Sequence, residues 1–478
     1  MELEIAPGRQ GRLSRDLYQQ LRTAILDGRL AAGEPLPASR ALAAKLGVSR
    51  NTVLGAYGRL TAEGFASGRA GAGTVVAAGV AAEVRAPLGS DLRPRPAWQA
   101  LVEPVAPALP APFDFRLGAP DPRLFPWDEW RRLLGRQFRG RRPKAGYPPP
   151  EGDVRLRTAL ARHLAASRAV RASADDVLLC AGAQQAFDLV VRVLVEPGET
   201  VAVEDPGYPP VRQLLLAHGA RVVPVPVDRE GLLVAALPDG ARLVYVTPSH
   251  QFPLGVAMSL PRRMALLEWS ARHGAAILED DYDSEFRFEG RSLEPLQSLD
   301  RRGRVLYVGT LSKVLLPTLR LGYLVAPASV RPALRAARRL SDSHGPPEVE
   351  RALADLAEDG LFARHLRRLH RIYRSRRARL LSSVERELAS VLEPWPAAAG
   401  LHVALRCRVE DLDLAAWATR ARASGVAVEL LGPYGIRPTT PGLALGYGLI
   451  DETRIEEGVR RLAAALPPRR RRGAPGGG

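Results

Sequence analysis

The sequence contains very few cysteines and no long apolar run. Its 478 residues include only Cys180 and Cys407, and two cysteines cannot build a disulfide framework. No stretch is apolar for long enough to cross a bilayer, and no apolar signal segment is found at the start of the chain. We therefore expect a cytoplasmic protein with no membrane partner, long enough for two or three domains with a sizeable core.

Lysine is also scarce, although the chain is strongly basic. Of 68 lysines and arginines, only Lys45, Lys144 and Lys313 are lysines, and the formal net charge is +17. That charge favours a polyanionic partner, but an arginine-rich composition inflates it, so charge alone decides little. Arginine suits salt bridges and phosphates at least as well as lysine, whereas only a primary amine with an accessible neutral form condenses with an aldehyde. Lys313, in "GTLSKVLLPTLRLGY" (309–323), is therefore a candidate for covalent aldehyde binding.

The composition along the chain predicts two domains joined by a linker. Residues 78–112 are rich in alanine and proline and lack sustained periodicity, which is typical of a linker. In residues 113–466, apolar strands such as "DVLLC", "TVAVED" and "RVLYVGT" alternate with amphipathic helical stretches. Such alternation predicts an α/β domain with a mostly parallel sheet and helices on both faces. Residues 467–478 predict a basic disordered tail.

Residues 1–77 predict a winged helix-turn-helix. In "LPASRALAAKLGVSRNTVLGAYGRLTAEGF" a short helix breaks at Gly47, and a second helix begins with Ser49 as its cap. The glycines of "SGRAGAGTVV" then suit a wing between short strands. The second helix can enter a major groove, where Arg50 can bind a guanine bidentately. Each polar residue taken singly could instead cap a helix or carry a surface charge.

This N-terminal arrangement, over residues 14–77, closely resembles the DNA-binding domain of the GntR regulators. The matching pattern comprises "LPASRALAAKLGVSRNTV", "LTAEGF" and "GAGT". The resemblance implies a double-stranded DNA operator as partner. It also implies DNA contacts by Arg40, Ser49, Arg50, Asn51 and Thr52, with the wing near Gly71.

A cluster of carboxylates follows the apolar strand in "GAAILEDDYDSEF". Open parallel sheets bind ligands at the carboxyl ends of their strands. Asp280 and Tyr282 have the same parity, so they face one side of an extended chain. A carboxylate beside a phenol suits a pyridoxal ring, because the first can keep the ring nitrogen protonated and the second can bond the ring oxygen. We expect Asp281, Asp283 and Glu285 to form a solvated acidic loop.

Two other stretches predict a phosphate site. "DVLLCAGAQQAFDLVVRVL" predicts a strand, a glycine turn and a helix, so the amides around Gly182, Ala183 and Gln184 can bind an anion at the helix start. Beside Lys313, Thr310 offers a hydroxyl and Arg320 a guanidinium fork for the same phosphate. With the rare lysine and the acid-phenol pair, these groups predict a pyridoxal phosphate site, and no metal site is predicted.

The motifs together resemble a known family. Residues 113–466 resemble the fold type I pyridoxal-phosphate aminotransferases, and their union with a GntR head resembles the MocR subfamily of transcriptional regulators. The motifs that carry this resemblance are "EDPGY", "TPSHQFPLG", "EDDYDSEF", "GTLSK" and "LRLGY". The resemblance implies a homodimer with pyridoxal 5'-phosphate as cofactor. It implies Lys313 bound to the cofactor aldehyde, Asp280 on the pyridine nitrogen, Tyr282 on the ring oxygen, Tyr208 stacked on the ring, Thr310 and Arg320 on the phosphate, and Tyr147 on the neighbouring subunit's phosphate.

Two positions in the cofactor site depart from the family's pattern. Ala183 lies where a phosphate-binding serine or threonine is usual, so backbone amides must supply more of that contact. Phe252 lies where an enzyme usually has the asparagine that holds the ring oxygen, and Gln251 or His250 could replace it.

A third departure bears on function. Ala444 lies where related proteins have the arginine that binds a substrate carboxylate, and the candidates Arg437 and Arg406 do not match it by position. We therefore expect a transcriptional regulator whose aminotransferase-like domain binds pyridoxal phosphate, with or without an amino compound as effector, and controls operator binding without acting as an enzyme. The alternative is an active aminotransferase with an attached DNA-binding domain. A scaffold with a dead cofactor site is disfavoured because the lysine, acid, phenol and arginine are all present.

Overall fold

The computed structural model of the chain divides into two compact units, residues 1–95 and 96–478. Of the residues and ranges predicted above, Gly71, Lys144, most of the linker 78–112 and the tail from residue 468 lie outside the described residues. The structure describes residues 10–69, 73–77, 92–99, 101, 111–139, 146–290, 294–438 and 440–467.

The first unit is a helix-turn-helix followed by a two-stranded hairpin. Gly47 ends the second helix at φ +64°, a left-handed conformation that glycine adopts without strain, and so turns the chain into the third helix. Leu17 and Leu21 from the first helix and Leu60 from the third pack into one small core. The predicted winged helix-turn-helix is confirmed. Its elements are α1 (Gln10–Leu26), α2 (Ser39–Leu46), α3 (Arg50–Ala62), β1 (Ala66–Arg69) and β2 (Gly73–Val76).

The second unit is built on an eight-stranded sheet with the order β4-β11-β10-β9-β8-β5-β6-β7. The pairs β10-β9, β9-β8, β8-β5 and β5-β6 are parallel, while β11 and β7 pair antiparallel with their neighbours. The predicted mixed, mostly parallel sheet is confirmed. Its strands are β4 (Val177–Cys180), β5 (Thr200–Asp205), β6 (Arg221–Asp228), β7 (Gly231–Leu232), β8 (Ala241–Val246), β9 (Ala276–Asp281), β10 (Val305–Thr310) and β11 (Gly322–Val325), and β3 (Phe113–Asp114) precedes them outside this sheet.

Helices cover both faces of this sheet. The side chains of β8 alternate between the two faces and are buried against helices on each of them. Leu243 and Tyr245 belong to one buried cluster with residues of α7 and α8, whereas Val244 and Val246 belong to another with residues of α9. A strand buried on both faces needs a nearly continuous apolar run, and "RLVYV" provides it. The helices are α4 (Pro96–Gln99), α5 (Trp127–Phe138), α6 (Val154–Arg168), α7 (Ala183–Leu194), α8 (Pro209–Ala217), α9 (Leu260–His273), α10 (Leu296–Leu299), α11 (Arg331–Ser341), α12 (Pro347–Glu358), α13 (Leu361–Leu388), α14 (Leu414–Ala423) and α15 (Ile455–Ala464).

A smaller antiparallel sheet follows the long helix α13 and has the order β12-β13-β16-β15. Its core is continuous with that of α13 and of α5 and α6. Among the helices of the described residues, none is both long enough and apolar enough to span a membrane. The strands of this region are β12 (Leu392–Pro394), β13 (His402–Cys407), β14 (Val426–Ala427), β15 (Glu429–Leu430) and β16 (Gly442–Gly446), and β14 pairs with β3.

Candidate functional site

A cavity of about 460 Å³ lies in the second unit, at the carboxyl ends of β9 and β10 and the start of α7. Parallel strands bring their carboxyl ends to one edge, which is why residues far apart in sequence meet there. All of the predicted cofactor residues except Gly182 and Tyr147 line it, and Gly182 directly precedes the lining. The residues lining the cavity are Leu117, Gly118, Ala183, Gln184, Phe187, Tyr208, Pro209, Pro210, Tyr245, Phe252, Asp280, Tyr282, Asp283, Thr310, Ser312, Lys313, Pro317, Arg320, Leu401, His402, Glu429 and Tyr434.

Lys313 follows β10 and extends its amine into this cavity. Its Nζ donates a hydrogen bond to the carbonyl of Gly118. Desolvation lowers the pKa of Lys313 from its usual value, and the carboxylates of Asp283 and Asp280 oppose that change. A lowered pKa enlarges the fraction of neutral amine, which is the form that attacks an aldehyde.

Asp280 is the second-last residue of β9, and one of its carboxylate oxygens is bonded while the other has no partner among the described residues. The Tyr245 hydroxyl donates to Oδ2 at 2.7 Å, while Oδ1 is buried without a partner among the described residues. Burial raises the pKa of Asp280 to about 7, although the Tyr245 hydrogen bond lowers it. A buried acceptor without a donor is costly, and the protonated nitrogen of a pyridine ring would satisfy it. Pyridoxal phosphate therefore fits this end of the cavity.

The turn into α7 and the arginine beside it form the predicted anion site. α7 begins at Ala183 after Gly182, and no side chain caps its first amides. The Arg320 guanidinium donates to the Ala181 carbonyl at 2.7 Å, so it lies against this turn. A Cβ on Gly182 would come within 3.2 Å of that guanidinium. Uncapped amides, a helix start and a guanidinium are the groups that bind a phosphate.

Tyr282 contacts a buried imidazole. Its hydroxyl oxygen is 3.0 Å from Nδ1 of His250, and the same Nδ1 is 3.0 Å from the Asp283 carboxylate. Gln251 donates to the carbonyls of Pro206 and Phe252, so its amide is occupied within its own loop. Neither His250 nor Gln251 lines the cavity, so within the described residues the structure does not bring either candidate to the position of the missing asparagine.

The expectation of a solvated acidic loop after β9 is wrong. Asp281 and Asp283 are 4% and 2% exposed, and Asp281 forms a buried ion pair with Arg168 at 3.0 Å. Glu285 is half-buried, and burial raises its pKa to about 7. Sequence alone could not reveal this, because the partner Arg168 comes from α6, more than a hundred residues earlier.

The structure adds residues to the cavity that sequence reasoning missed. His402 donates from Nε2 to the Pro253 carbonyl at 2.9 Å, and burial lowers its pKa to about 3. Glu429 accepts from the Leu117 amide at 2.9 Å and from the Tyr434 hydroxyl. They come from the small sheet and the loop beside it and carry no local motif, so only the tertiary fold identifies them.

The residue at the position of the carboxylate-binding arginine, Ala444, does not line the cavity. Ala444 is fully buried on β16 and packs with Leu254, Ala404 and Leu431. The two candidate replacements, Arg406 and Arg437, are both absent from the cavity lining. Tyr147 is likewise outside the lining and is 87% exposed.

In the first unit, Ser49 to Thr52 form the start of α3, whereas Arg40 lies in α2 and Gly71 is outside the described residues. Ser49 caps this helix, since its side chain accepts from the Thr52 amide at 3.1 Å. Arg40, Arg50 and Asn51 are exposed, and Nε of Arg50 is 3.4 Å from the Ser39 hydroxyl. Thr52 is only 2% exposed, so the prediction that its side chain contacts DNA does not fit its burial. It stabilises the helix start instead.

Comparison with known proteins identifies both parts of the chain. Residues 13–76 match the bacterial regulatory proteins of the gntR family, and residues 115–449 match aminotransferase class I and II. The chain is 37% identical to the probable rhizopine catabolism regulatory protein MocR of Rhizobium meliloti, over 95% of this chain and 94% of that protein. It is also 37% identical to the HTH-type transcriptional regulator TauR of Rhodobacter capsulatus, over 97% and 98% of the two chains.

The second unit also resembles solved enzymes. LysN, an α-aminoadipate aminotransferase from Thermus thermophilus complexed with N-(5'-phosphopyridoxyl)-L-leucine, is 31% identical with a TM-score of 0.68, over 74% of this chain and 92% of that one. Its ligand carries the pyridoxyl group that the cavity described above fits. Since both family matches and the full-length relatives agree, the chain belongs to the MocR subfamily of GntR transcriptional regulators, in which a GntR DNA-binding domain is joined to a class I and II aminotransferase domain.

Proposed function

We propose that this protein regulates transcription by binding operator DNA through the first unit and pyridoxal phosphate through the second. The observation that carries the proposal is the unpartnered buried Oδ1 of Asp280, in the same cavity as Lys313 and Arg320. These three groups match a ring nitrogen, an aldehyde and a phosphate respectively. When bound, the cofactor supplies an aldehyde that the Lys313 amine can hold covalently.

We assign each residue a role in binding the cofactor or DNA according to where it lies in its unit. Arg320, the α7 amides and Thr310 would hold the phosphate, and Tyr208 and Tyr282 would contact the ring. In the first unit, Arg50 and Asn51 read DNA while Ser49 sets the helix start. We propose that cofactor binding, alone or with an amino compound, changes the affinity of the DNA-binding units for the operator.

We further propose that the protein acts as a cytoplasmic homodimer. Tyr147 is 87% exposed and lies outside its own subunit's cavity, which suits a side chain that reaches the phosphate bound by a second copy. The domain boundaries 1–77, 78–112, 113–466 and 467–478 remain predictions of the sequence.

An active aminotransferase is the second candidate. The lowered pKa of Lys313 favours it, because a larger fraction of the amine is then neutral. Transamination also requires the substrate to be held with one bond aligned to the ring, usually by an arginine on its carboxylate. Arg320 is the only arginine among the described residues that line the cavity, and it is assigned to the phosphate. We therefore propose that sustained turnover is absent. Keto-acid release at enzyme-like rates from a panel of amino donors would favour the enzyme instead.

Two variants, Lys313→Ala and Arg50→Ala, test the main proposal, with Lys45→Ala as a control. Lys313→Ala should abolish the visible absorption of the bound cofactor and the borohydride-fixed label, while Lys45→Ala keeps both. Arg50→Ala should keep the absorption and weaken binding to an operator selected from random DNA by about tenfold, because one bidentate base contact contributes roughly 1 to 3 kcal/mol. A label recovered on Lys45 or Lys144, or an unchanged footprint of the Arg50 variant, would contradict the assignment.

A further inference from the structure

With the cofactor bound, the described residues that line the rest of the cavity carry more acidic than basic side chains. Among the described residues that line it, Lys313 and Arg320 are the only lysine and arginine, and the cofactor's aldehyde and phosphate occupy both under the proposed function. Asp280 faces the ring nitrogen. The carboxylates left for another ligand are those of Asp283 and Glu429. The remaining part of the cavity thus offers acidic groups and no lysine or arginine to bind an anion.

Among the described residues of this subunit, neither candidate arginine supplies a cation to the cavity. Arg406 is exposed and pairs with Glu393 on the neighbouring strand. Arg437 lines a separate cavity of about 200 Å³, and its backbone amide donates to Asp205. Ala444 itself has no free space around it, because it is fully buried in apolar packing. A carboxylate in the ligand would therefore be desolvated without a cationic partner, which is strongly unfavourable.

Glu429 lies directly across from Ala444 in the small sheet. The two are paired residues of the antiparallel strands β15 and β16, and directly opposed residues share one face of a sheet. The position expected to carry a cationic side chain in related proteins is thus alanine here, and its cross-strand partner in the cavity wall is an acid.

The Glu429 carboxylate is held in place by two donors. The Leu117 amide donates to Oε1 at 2.9 Å, and the Tyr434 hydroxyl donates to Oε2. Each oxygen accepts one of these hydrogen bonds and retains a second lone pair for a ligand. Glu429 is therefore an oriented acceptor and not a mobile surface charge.

His402 is a further polar residue of the cavity lining. Its Nε2 must carry the proton, because it bonds the Pro253 carbonyl, which can only accept. The ring is neutral because burial lowers its pKa to about 3, so Nδ1 is an acceptor. The cavity lining thus contains two acceptors, Glu429 and His402, for a ligand that donates hydrogen bonds.

We propose that the effector is an amine without a carboxylate, whose far end carries a second ammonium group that binds Glu429. This inference rests on the proposed function, because the cofactor must first occupy Lys313 and Arg320. A diamine provides one amine for the cofactor end and one cation for the acidic end. An ω-amino acid of the same length places a carboxylate against Glu429.

The test uses full-length protein loaded with pyridoxal phosphate and three probes of matched length: 1,5-diaminopentane, 5-aminopentanoate and pentylamine. Binding is followed by the visible spectrum of the bound cofactor and by the anisotropy of a labelled operator duplex. The diamine should bind at least about tenfold more tightly than either other probe, since a hydrogen bond to a charged group contributes roughly 1.5 to 3 kcal/mol. Equal or tighter binding of 5-aminopentanoate overturns the inference.

A matched pair of variants assigns the effect to one residue. Glu429→Gln keeps an acceptor for the Leu117 amide and removes the charge, so the preference for the diamine over pentylamine should disappear. Glu393→Gln removes a carboxylate from the same small sheet but outside the cavity lining, and the preference should remain. An unchanged preference in the Glu429 variant, or an equal loss in both variants, overturns the assignment.

The failures of the two proposals are distinguishable. Protein that binds neither pyridoxal phosphate nor the selected operator contradicts the proposed function, and this inference fails with it. Protein that binds both but prefers the amino acid contradicts this inference alone.

Discussion

At the scale of single residues, the second unit holds several carboxyl groups away from water, and one of them, Asp280, lines the cavity. Asp280, Glu204 and Glu279 are buried, and burial is the largest cause that raises the pKa of each to about 7. In an unfolded chain such groups ionise near pH 4. Without the cofactor, the folded protein therefore binds more protons than the unfolded chain between about pH 4 and about pH 7. The contribution of these groups to the free energy of unfolding falls as pH rises from about 4 to about 7 and is constant above that.

Asp280→Asn should remove one of these contributions. The asparagine oxygen still accepts from Tyr245, but it carries no charge to desolvate. Relative to the wild type, the cofactor-free variant should gain stability as pH rises from 4 to 7, by up to about 1.4 kcal/mol for each unit of raised pKa. Urea unfolding at pH 5 and pH 8 measures the difference.

Asp239→Asn serves as the control, since the Asp239 side chain is 94% exposed. A pH dependence of the Asp280 variant identical to that of wild type would contradict the burial argument. The same variant should bind pyridoxal phosphate more weakly, because the ring nitrogen loses its anionic partner.

At the scale of elements, the turn from β4 into α7 determines the phosphate site. Gly182 has φ +84°, and a Cβ there would press on the Arg320 guanidinium at 3.2 Å. Gly274, at the end of α9, has a similar φ of +72° but nothing within 4 Å of its Cβ position. Both glycines have a positive φ, but Gly182 (ψ 172°) lies in a region essentially restricted to glycine, whereas Gly274 (ψ 8°) is left-handed. Gly274 is therefore a control for substitution at a positive φ that makes no contact with Arg320.

Gly182→Ala should lower the affinity for pyridoxal phosphate by about tenfold or more, since displacing Arg320 weakens a charge-assisted hydrogen bond. Gly274→Ala should leave the affinity unchanged. Cofactor titration followed by absorption measures the two affinities, and thermal melting checks that both variants are folded. Equal affinities in the two variants would contradict the role assigned to the position of Arg320.

At the scale of the whole molecule, regulation requires the second unit to affect what the first unit binds. The first unit has its own apolar core, built from α1, α2, α3 and the hairpin. The fragment 1–95 should therefore bind DNA by itself, with few phosphate contacts and a strong dependence on salt.

The full-length protein should bind a two-site operator more tightly than the fragment by about 10² to 10⁴, because a proposed dimer tethers two DNA-binding units. Anisotropy titrations of both proteins at one salt concentration measure this ratio, and sedimentation at the same concentration reports the oligomeric state. Equal affinity of fragment and full-length protein would show that the second unit does not pair the DNA-binding units.

The sequence by itself determined the features that depend on local chemistry. The glycine break at Gly47 and the cap at Ser49 specify the helix-turn-helix, because a helix end needs a left-handed residue or a side-chain acceptor within a few positions. The alternation of apolar strands and amphipathic helices specifies the parallel sheet. The rarity of lysine indicated Lys313, and strand parity placed Asp280 and Tyr282 on one side.

Only the tertiary structure decided the features that depend on distant partners. Burial of Asp281 requires Arg168, Thr52 is covered by the small core of its unit, and Glu429 and His402 reach the cavity from strands more than a hundred residues after Asp280. Desolvation, ion pairing and cavity charge arise from atoms brought together by folding, and no spacing along the chain encodes them. The sequence therefore determined which cofactor the domain fits, whereas the folded structure decided which charges remain to select an effector.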